Sequence, residues 1–207
     1  MSSSVSCLLL AAGYSSRMGQ LKALLPIDDK PVVLKLIEVL QNVGINDIYI
    51  VLGYNATQIY DVCRHEAVHF VMNHAFDEGM FSSIVCGLQQ LPQGRDFLIL
   101  PVDTPLLNES ELVLLLANPP KAYEVIYPTF NYRKGHPPYI SANCREKILS
   151  YQGNLGLKGC LAQEEIKQRY IEMPTQRLCL DMDTMVDYQT ILALQEKIER
   201  ERKEWKR

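Results

Sequence analysis

The feature that most constrains the fold of this chain is a regular alternation between short apolar runs and segments with helical periodicity. The apolar runs have the length of β-strands and occupy residues 5–11, 47–52, 67–72 and 96–103. The segments that alternate with them carry apolar residues at helical spacing and occupy residues 32–43, 55–63, 82–90 and 109–117. Strands that are joined through helices pair in parallel, and helices then cover both faces of the sheet. The alternation therefore predicts an α/β, Rossmann-like fold with a mostly parallel central sheet flanked by helices.

The second half of the chain, beyond Pro120, has a looser pattern. Its predicted elements are a strand at 123–130, a short helix at 142–150, strands at 169–173 and 177–183, and a long helix from about Val186. No repeat, low-complexity tract or linker interrupts the sequence. We therefore expect residues 1–207 to form a single domain that ends in this charged helix.

Composition and charge exclude several classes of function. The chain has 21 basic and 24 acidic residues and a formal net charge of −3, whereas general nucleic-acid binders usually carry a basic surplus. No segment reaches the roughly 20 apolar residues of a membrane-spanning helix, and the opening Met-Ser-Ser-Ser lacks the features of a secretory signal. The six cysteines show no C-x-x-C spacing, which favours reduced thiols in the core. We expect a cytoplasmic protein that uses neither nucleic acid nor a membrane as a partner.

The loop after the first apolar run is the first candidate binding site. From Leu10 to Lys22 it reads LAAGYSSRMGQLK, and Gly13 and Gly19 frame its small polar segment. Glycine lets backbone N–H groups approach a ligand closely, and Arg17 and Lys22 add two cations. These residues favour a phosphorylated ligand, although a plain strand-to-helix turn with two solvated cations has the same spacing. The loop is neither a Walker A loop nor a G-x-G-x-x-G fingerprint.

Two aspartates form the second candidate. Asp103 ends the apolar run FLILPV before a Thr-Pro pair, and Asp183 ends the segment RLCLDMD. Ligands of open α/β sheets bind outside the carboxyl ends of the strands, where a carboxylate can hold a hard cation such as Mg²⁺. In a strand, Asp181 and Asp183 would point to opposite faces, one towards a pocket and one towards solvent. The alternative role is capping, by Asp103 of a turn or helix and by Asp183 or Thr184 of the terminal helix.

A histidine and two serines complete the set of candidates. His136 lies in the turn-rich loop NYRKGHPP, where a histidine is usually an ordinary surface residue. Ser82 and Ser83 lie at the start of a predicted helix, where a hydroxyl caps the helix or holds a ligand oxygen. The chain has no Ser/His/Asp order, H-E-x-x-H motif or zinc-binding spacing. We therefore expect neither a nucleophilic triad nor structural zinc.

Taken together and in this order, these segments resemble the MobA-like NTP-transferase family, and within it the molybdenum cofactor cytidylyltransferases. The family's opening motif, L-A-A-G-x-S-x-R-M-G-x-x-K, matches this chain at every fixed position from Leu10 to Lys22. The later GM-x-SS, the strand-end aspartate before proline, GHP and D-x-DT match as well. The resemblance covers about residues 5–195 and implies a nucleotidyltransferase fold.

The resemblance implies transfer of CMP from CTP to the terminal phosphate of a molybdopterin-type cofactor, with release of pyrophosphate. Arg17, Lys22 and Asp103 would be catalytic, and Asp103 and Asp183 would hold Mg²⁺. His136 would lie towards the cofactor substrate, and a recipient molybdenum hydroxylase would be a further partner. The implied nucleotide-binding residues are Leu10, Ala11, Ala12, Gly13, Arg17, Lys22, Ser83 and Asp103. Because the attacking phosphate is already ionised, catalysis would depend on positioning and on charge neutralisation.

The nucleotide preference depends on Ala12. Guanylyl-transferring relatives resemble L-A-G-G, whereas this chain reads Leu10-Ala11-Ala12-Gly13. The extra methyl would narrow the base pocket and favour the smaller pyrimidine, a difference worth about 1–3 kcal/mol. CTP is therefore the expected nucleotide.

The chain departs from the family pattern in two places. Where family members carry G-D-x-G-A-R, residues 153–158 read G-N-L-G-L-K, and D-T-P-E-D reads D-T-M-V-D from Asp183. Lys is not equivalent to Arg at a bidentate phosphate site, so the acceptor stays open. The alternatives are a nucleotidyltransferase for a sugar or polyol phosphate and a non-catalytic molybdenum-cofactor chaperone. Retention of Arg17, Lys22, Asp103 and Asp183 favours catalysis, because a carrier needs no metal and triphosphate site.

The C-terminal helix carries Ile191, Ile198 and Trp205 at seven-residue spacing, and its second half is almost wholly charged. Three such residues are too few for a coiled coil. We expect the helix to dock through its first half and to end in solvent. The alternative is that the stripe packs on another chain or on a following domain.

Overall fold

The computed structural model describes residues 5–205, without the side chains of Arg202, Lys203 and Trp205. The opening Met-Ser-Ser-Ser and the indole of the predicted stripe therefore lie outside the described part. The β-strands of this part are β1 Ser6–Leu10, β2 Pro26–Ile27, β3 Lys30–Pro31, β4 Asp47–Leu52, β5 His69–Met72, β6 Phe97–Pro101, β7 Val125–Phe130, β8 Arg133–Lys134, β9 Tyr139–Ile140 and β10 Gln168–Glu172. Its α-helices are α1 Val32–Asn42, α2 Ala56–Cys63, α3 Met80–Gln90, α4 Glu109–Leu116, α5 Arg145–Ser150, α6 Gly156–Leu161 and α7 Met185–Trp205.

The central sheet has the strand order β10-β7-β9-β6-β1-β4-β5, with β8 paired to β7. β1 pairs in parallel with β4 and β6, β4 with β5, and β7 with β10. The short strand β9 runs antiparallel between β6 and β7. The predicted mostly parallel α/β fold is confirmed.

Helices cover both faces of the sheet, which explains why the central strands read as continuous apolar runs. All five residues of β1 are buried. Leu9 belongs to the core cluster that includes Ile37 of α1, whereas Leu8 belongs to the cluster that includes Ile84 and Leu88 of α3. Successive side chains of a strand point to opposite faces, so a strand with two covered faces is apolar at every position.

The prediction of a strand at 177–183 is wrong. The first three residues form a 3₁₀ helix, and residues 180–183 have no regular structure. Both sides of β6 in the sheet are already occupied by β1 and β9, so the segment crosses the strand ends instead. The Leu178 carbonyl accepts from His136 N–H at 2.7 Å, and Met182 N–H donates to the Asp103 carbonyl at 2.8 Å. Leu178 and Met182 are buried, which produces the alternation that resembles a strand.

All six cysteines are free thiols, and five of them are buried. Burial raises the pKa of Cys63 to about 12 and that of Cys144 to about 11. Their thiols therefore stay protonated near neutral pH and behave as small apolar side chains. Within residues 5–205, no helix is both long and apolar enough to cross a membrane.

The first half of α7 docks on the body of the protein. Tyr188 and Ile191 are buried, and the Tyr188 hydroxyl donates to the Pro26 carbonyl at 2.6 Å. One turn beyond Ile191, Gln195 Nε2 donates to Asp28 Oδ2 at 2.8 Å. These contacts support the expected docking of the helix through its first half.

Gly87 sets how closely α3 approaches the sheet. A Cβ at this position would lie 2.9 Å from methyl carbons of Leu8 and Val51, both buried. We predict that Gly87→Ala lowers the melting temperature, because a clash with two buried side chains lies in the upper part of the about 1–3 kcal/mol range for overpacking and so exceeds the gain in helix propensity of about 1 kcal/mol. Gln89→Ala, on the exposed side of the same helix, should change stability by no more than about 0.5 kcal/mol. Equal melting temperatures for Gly87→Ala and wild type would contradict this packing argument.

The contacts of α7 give a second prediction. Truncation after Lys197 keeps Tyr188, Ile191 and Gln195, and should therefore leave the melting temperature nearly unchanged. Light scattering should give the same oligomeric mass before and after truncation. A change from dimer to monomer would show instead that the end of α7 is an interface.

Candidate active site

A cleft of about 320 Å³ lies at the carboxyl ends of the parallel strands. The loops that follow β1, β5 and β6 line it, together with Ile59 of α2, the start of α3 and Asp183 from the segment before α7. Of the sequence candidates, it is lined by Leu10, Ala11, Ala12, Gly13, Arg17, Lys22, Ser83, Asp103 and Asp183. His136 is not among the lining residues. The structure thus brings every candidate for nucleotide or metal binding to one cleft and leaves the candidate for the second substrate outside it.

Four charged side chains form one corner of this cleft, here called the charged corner: Arg17, Lys22, Asp103 and Asp183. Lys22 lies between the two carboxylates. Its Nζ is 2.5 Å from Oδ1 of Asp183 and 3.3 Å from Oδ2 of Asp103. Arg17 Nη2 lies 3.0 Å from the other oxygen of Asp183. The hydrogen bond from Lys22 is the largest of the interactions that hold the pKa of Asp183 below its usual range. Two cations and two carboxylates therefore alternate in one network.

Burial differs strongly between the two cations. The Lys22 side chain is only 12% exposed, whereas Arg17 is 67% exposed. An exposed ion pair contributes at most about 1 kcal/mol to stability, so the Arg17–Asp183 pair adds little to the fold. Arg17 can therefore exchange its carboxylate partner for an incoming anion at little cost.

The loop that carries both cations is anchored by its own backbone and by two buried side chains. Ser15 has a φ of 52°, its carbonyl accepts from Met18 N–H at 2.9 Å, and its hydroxyl accepts from Lys22 N–H at 3.2 Å. Met18 and Ala23, the neighbours of the two cations in the chain, are buried. The apolar neighbours fix the backbone, so Arg17 and Lys22 both reach the cleft.

The residues directly after β1 are fixed by the neighbouring strand. Ala11 N–H donates to the Val51 carbonyl at 2.9 Å, and the Ala12 carbonyl accepts from Tyr54 N–H at 3.1 Å. A Cβ at Gly53 would lie 2.8 Å from that Ala12 carbonyl, so only glycine lets the two loops approach this closely. A Cβ at Gly13, in contrast, would meet nothing within 4 Å. The loop is thus held rigidly up to Ala12 and opens into the cleft immediately afterwards.

Neither Asp103 nor Asp183 caps a helix. The side chain of Asn108 caps α4 by accepting from a first-turn N–H at 3.1 Å. At the start of α7, Thr184 Oγ1 accepts from Asp187 N–H at 3.2 Å, and Asp187 Oδ2 accepts from Thr184 N–H at 2.8 Å. This reciprocal capping box satisfies the helix end. Both candidate carboxylates are consequently available to the cleft.

Asn73, which the sequence analysis missed, organises the start of α3. Its Nδ2 donates to the hydroxyls of Ser82 and Ser83, both at 2.9 Å, and its Oδ1 accepts from Ala75 N–H at 3.0 Å. The Ser82 hydroxyl donates to the Ala75 carbonyl at 2.7 Å, so it fixes the preceding loop and does not cap the helix. Ser83 acts as an acceptor in this network, so its O–H can donate towards the cleft. A single asparagine after a strand gives no sequence signal for this role.

His136 does not line the cleft, but it lies close enough to Asp103 for that carboxylate to affect its pKa. Its backbone N–H is bound by Leu178, and a Cβ at Gly135 would lie 2.3 Å from the Leu178 carbonyl, so the two segments are tightly packed. In the described part of the chain, its buried Nδ1 has no hydrogen-bond partner. Burial lowers its pKa, although the nearby Asp181 and Asp103 carboxylates oppose the shift. It is thus no ordinary surface histidine, and Asp181, which does not line the cleft, faces the same region.

The charged corner suits a metal ion that arrives with a phosphorylated ligand. Over residues 5–205, no three His, Cys, Asp or Glu side chains cluster closely enough to hold a metal by themselves. Mg²⁺ is usually bound by one or two carboxylates together with substrate phosphates. Asp103 and Asp183 both contact the same Lys22 nitrogen, so their oxygens converge on one small region. Their donor chemistry therefore fits Mg²⁺.

Comparison with known proteins gives two informative relatives. Nicotine blue oxidoreductase from Paenarthrobacter nicotinovorans is 30% identical over 189 residues, which cover 87% of this chain and 93% of that protein. The molybdenum cofactor cytidylyltransferase of Escherichia coli (strain K12) is 24% identical over 192 residues, which cover 91% of this chain and 95% of that protein. Both relatives align over nearly the whole chain, but their names describe different reactions.

A solved structure with the same fold is Rv0371c from Mycobacterium tuberculosis H37Rv. Its TM-score is 0.80 at 22% identity, over 93% of this chain and 100% of that chain. A complex of the same protein with manganese gives a TM-score of 0.73 at 20% identity, over 91% of this chain and 98% of that chain. At these identities the likeness shows the fold alone.

A family model matches most of the chain. The model of the MobA-like NTP transferase domain matches residues 7–168, the range that contains the loop after β1, the start of α3 and Asp103. This match confirms the resemblance seen in the sequence, and the chain therefore belongs to the MobA-like NTP transferase family.

Proposed function

We propose that this protein transfers CMP from CTP to the terminal phosphate of a molybdopterin-type cofactor and releases pyrophosphate. Membership in the MobA-like family supports a nucleotidyltransferase. The observation that carries the proposal is the convergence of Arg17, Lys22, Asp103 and Asp183 at one edge of the sheet. This arrangement provides cations for a triphosphate and carboxylates for the metal that accompanies it. We place the enzyme in the cytoplasm, with residues 1–207 as one domain and a molybdenum hydroxylase as recipient of the product.

In this proposal, the chain's own residues bind and orient the triphosphate. Lys22, fixed by its buried neighbour Ala23, and Arg17 bind phosphate oxygens. An oxygen of the acceptor phosphate forms a bond to the α-phosphorus, and the bond from that phosphorus to the leaving pyrophosphate breaks. The nucleophile is already ionised, so no residue needs to act as a general base, and positioning and charge neutralisation carry the rate.

Asp103 and Asp183 would hold Mg²⁺, which neutralises charge on the reacting phosphates when it is bound. A manganese complex of the structurally similar Rv0371c supports a divalent metal in this fold. Leu10, Ala11, Ala12, Gly13 and Ser83 would bind the rest of the nucleotide. His136, which lies near Asp103 but does not line the cleft, would face the acceptor.

A second candidate function follows from the other relative, nicotine blue oxidoreductase, which is the more similar of the two. Its name places an oxidoreductase among proteins that align with this chain. Nucleotidyl transfer is favoured here because the two carboxylates, Asp103 and Asp183, face two cations, an arrangement that an oxidation–reduction reaction does not require. The alternative acceptors, a sugar phosphate or a polyol phosphate, stay open because residues 153–158 depart from the family pattern.

One set of assays separates these functions. Purified protein is incubated with CTP, Mg²⁺ and, in turn, molybdenum cofactor, a sugar phosphate and a polyol phosphate, and pyrophosphate release is measured. In parallel, oxidation of NADH or NADPH is followed with a quinonoid dye as the electron acceptor. We expect pyrophosphate release with the molybdenum cofactor. Release only with another acceptor would reassign the substrate, and dye reduction without pyrophosphate release would establish the oxidoreductase.

We predict that Asp103→Ala abolishes transfer and leaves the fold intact. The Asp103 carboxylate lies at a strand end beside an open cleft, so its removal creates no core cavity and should lower the melting temperature by only a few degrees. Asp77→Ala is the matched control, because Asp77 lines the same cleft but belongs to no proposed metal site. Near-normal turnover of Asp103→Ala at saturating Mg²⁺ would exclude the metal-ligand role.

We predict that Ala12→Gly raises the use of GTP relative to CTP. Ala12 is held by its backbone bond to Tyr54, so loss of the methyl should enlarge the base pocket without moving the loop. A methyl-sized contact limits the change to roughly 10–200-fold. The measurement is the ratio of kcat/KM for the two nucleotides, and an unchanged ratio, or a shift towards CTP, would reject the pocket argument.

A further inference from the structure

The three rings of Tyr14, Tyr54 and Phe76 form a cluster, here called the aromatic lip, and two of them line the cleft. The ring centroid of Tyr14 lies 4.9 Å from that of Tyr54 and 5.3 Å from that of Phe76. Tyr54 and Phe76 are 6.5 Å apart. The rings come from the loops after β1, β4 and β5, which are neighbouring parallel strands.

Tyr14 is the member of the aromatic lip that is best placed to meet a ligand. Its side chain is 49% exposed, and it lines the cleft together with Phe76, whereas Tyr54 does not. Phe76 meets the Tyr14 ring at 61° and Tyr54 meets it at 43°. Two aromatic neighbours therefore restrict the orientation of an exposed ring, which reduces the entropy that binding would cost.

The strand order separates this lip from the charged corner. Asp103 follows β6, on one side of β1, whereas Tyr54 and Phe76 follow β4 and β5, on the other side. Ala12 lies two positions before Tyr14 in the loop, and Ser83 and Phe76 both line the cleft. A ligand with phosphates at Lys22 would therefore extend towards the aromatic lip.

We propose that Tyr14 stacks on the base of the bound nucleoside triphosphate. This inference rests on the proposed function and adds a residue that sets nucleotide affinity. Stacking on an aromatic side chain tolerates every base, because each base has a π-face. Tyr14 therefore strengthens the binding of CTP and GTP alike, and the choice between them stays with the space at Ala12.

The experiment measures equilibrium binding by calorimetry in the presence of Mg²⁺. The ligands are CTP, GTP and inorganic tripolyphosphate, which has the charge but no base. The proteins are wild type, Tyr14→Ala, Tyr14→Phe and the control Tyr60→Ala. Tyr60 is 45% exposed, and its ring centroid lies 4.8 Å from that of Phe70. It lies on α2 and does not itself line the cleft.

We expect Tyr14→Ala to bind CTP and GTP roughly 5- to 160-fold more weakly, the loss typical of one stacking contact. Tripolyphosphate should bind equally to all four proteins, and Tyr14→Phe and Tyr60→Ala should bind every ligand as wild type does. Unchanged binding of CTP to Tyr14→Ala would overturn the inference, as would an equal loss for tripolyphosphate, which would mean that the loop has moved. Unchanged CTP binding with a higher KM for a heteroaromatic acceptor would also overturn it and assign the ring to the acceptor.

Failure of the proposed function has a separate signature. If wild type binds CTP, Tyr14→Ala weakens that binding, and no acceptor yields pyrophosphate, the stacking role stands and cytidylyl transfer to the tested acceptors is excluded. If wild type binds neither CTP nor GTP, both proposals are rejected.

Discussion

The parallel pairing of β1 with β4 on one side and β6 on the other is the constraint on which the rest of this structure depends. In this register, Leu10 lies opposite both Val51 and Pro101. The three strands therefore end at the same level, and their loops converge at one edge. Because these strands are apolar on both faces, side-chain fit opposes a slip by one residue, which would exchange Leu8 and Leu9 between two differently packed core clusters. The charged corner around Lys22 follows from this alignment.

The sequence predicts this half of the molecule well because its signals are local. Each central strand is a short apolar run, each helix has its own periodicity, and the motif from Leu10 to Lys22 lies in one continuous loop. The grouping of Lys22 with Asp103 follows from the rule that ligands of open parallel sheets bind at the carboxyl ends of strands. The nine candidates that line the cleft are therefore those for which strand-end position and the family motif agree.

What the sequence could not predict depends on contacts between distant segments. Residues 177–183 alternate like a strand, but the sheet positions beside β6 are occupied, and this competition has no local signal. Asn73 gains its role only when its loop meets the start of α3. The aromatic lip is likewise assembled from three loops that are far apart in the chain. The packing of Gly135 and His136 against Leu178, more than 40 residues away, likewise has no signal in their own turn-rich loop.

The segment of residues 177–183, which crosses the strand ends, also determines when the site can be assembled. Asp183 reaches Lys22 across 161 positions of the chain, and the capping box of Thr184 and Asp187 immediately follows it. A ribosome-bound chain that has already paired β1, β4 and β6 holds Lys22 and Asp103 but lacks the second carboxylate. The cleft gains its full charge pattern only after the start of α7 has emerged and docked. Synthesis therefore delays completion of the charged corner until the segment before α7 has been made, so a chain that stops before Asp183 has two cations but only one of the two carboxylates in the cleft.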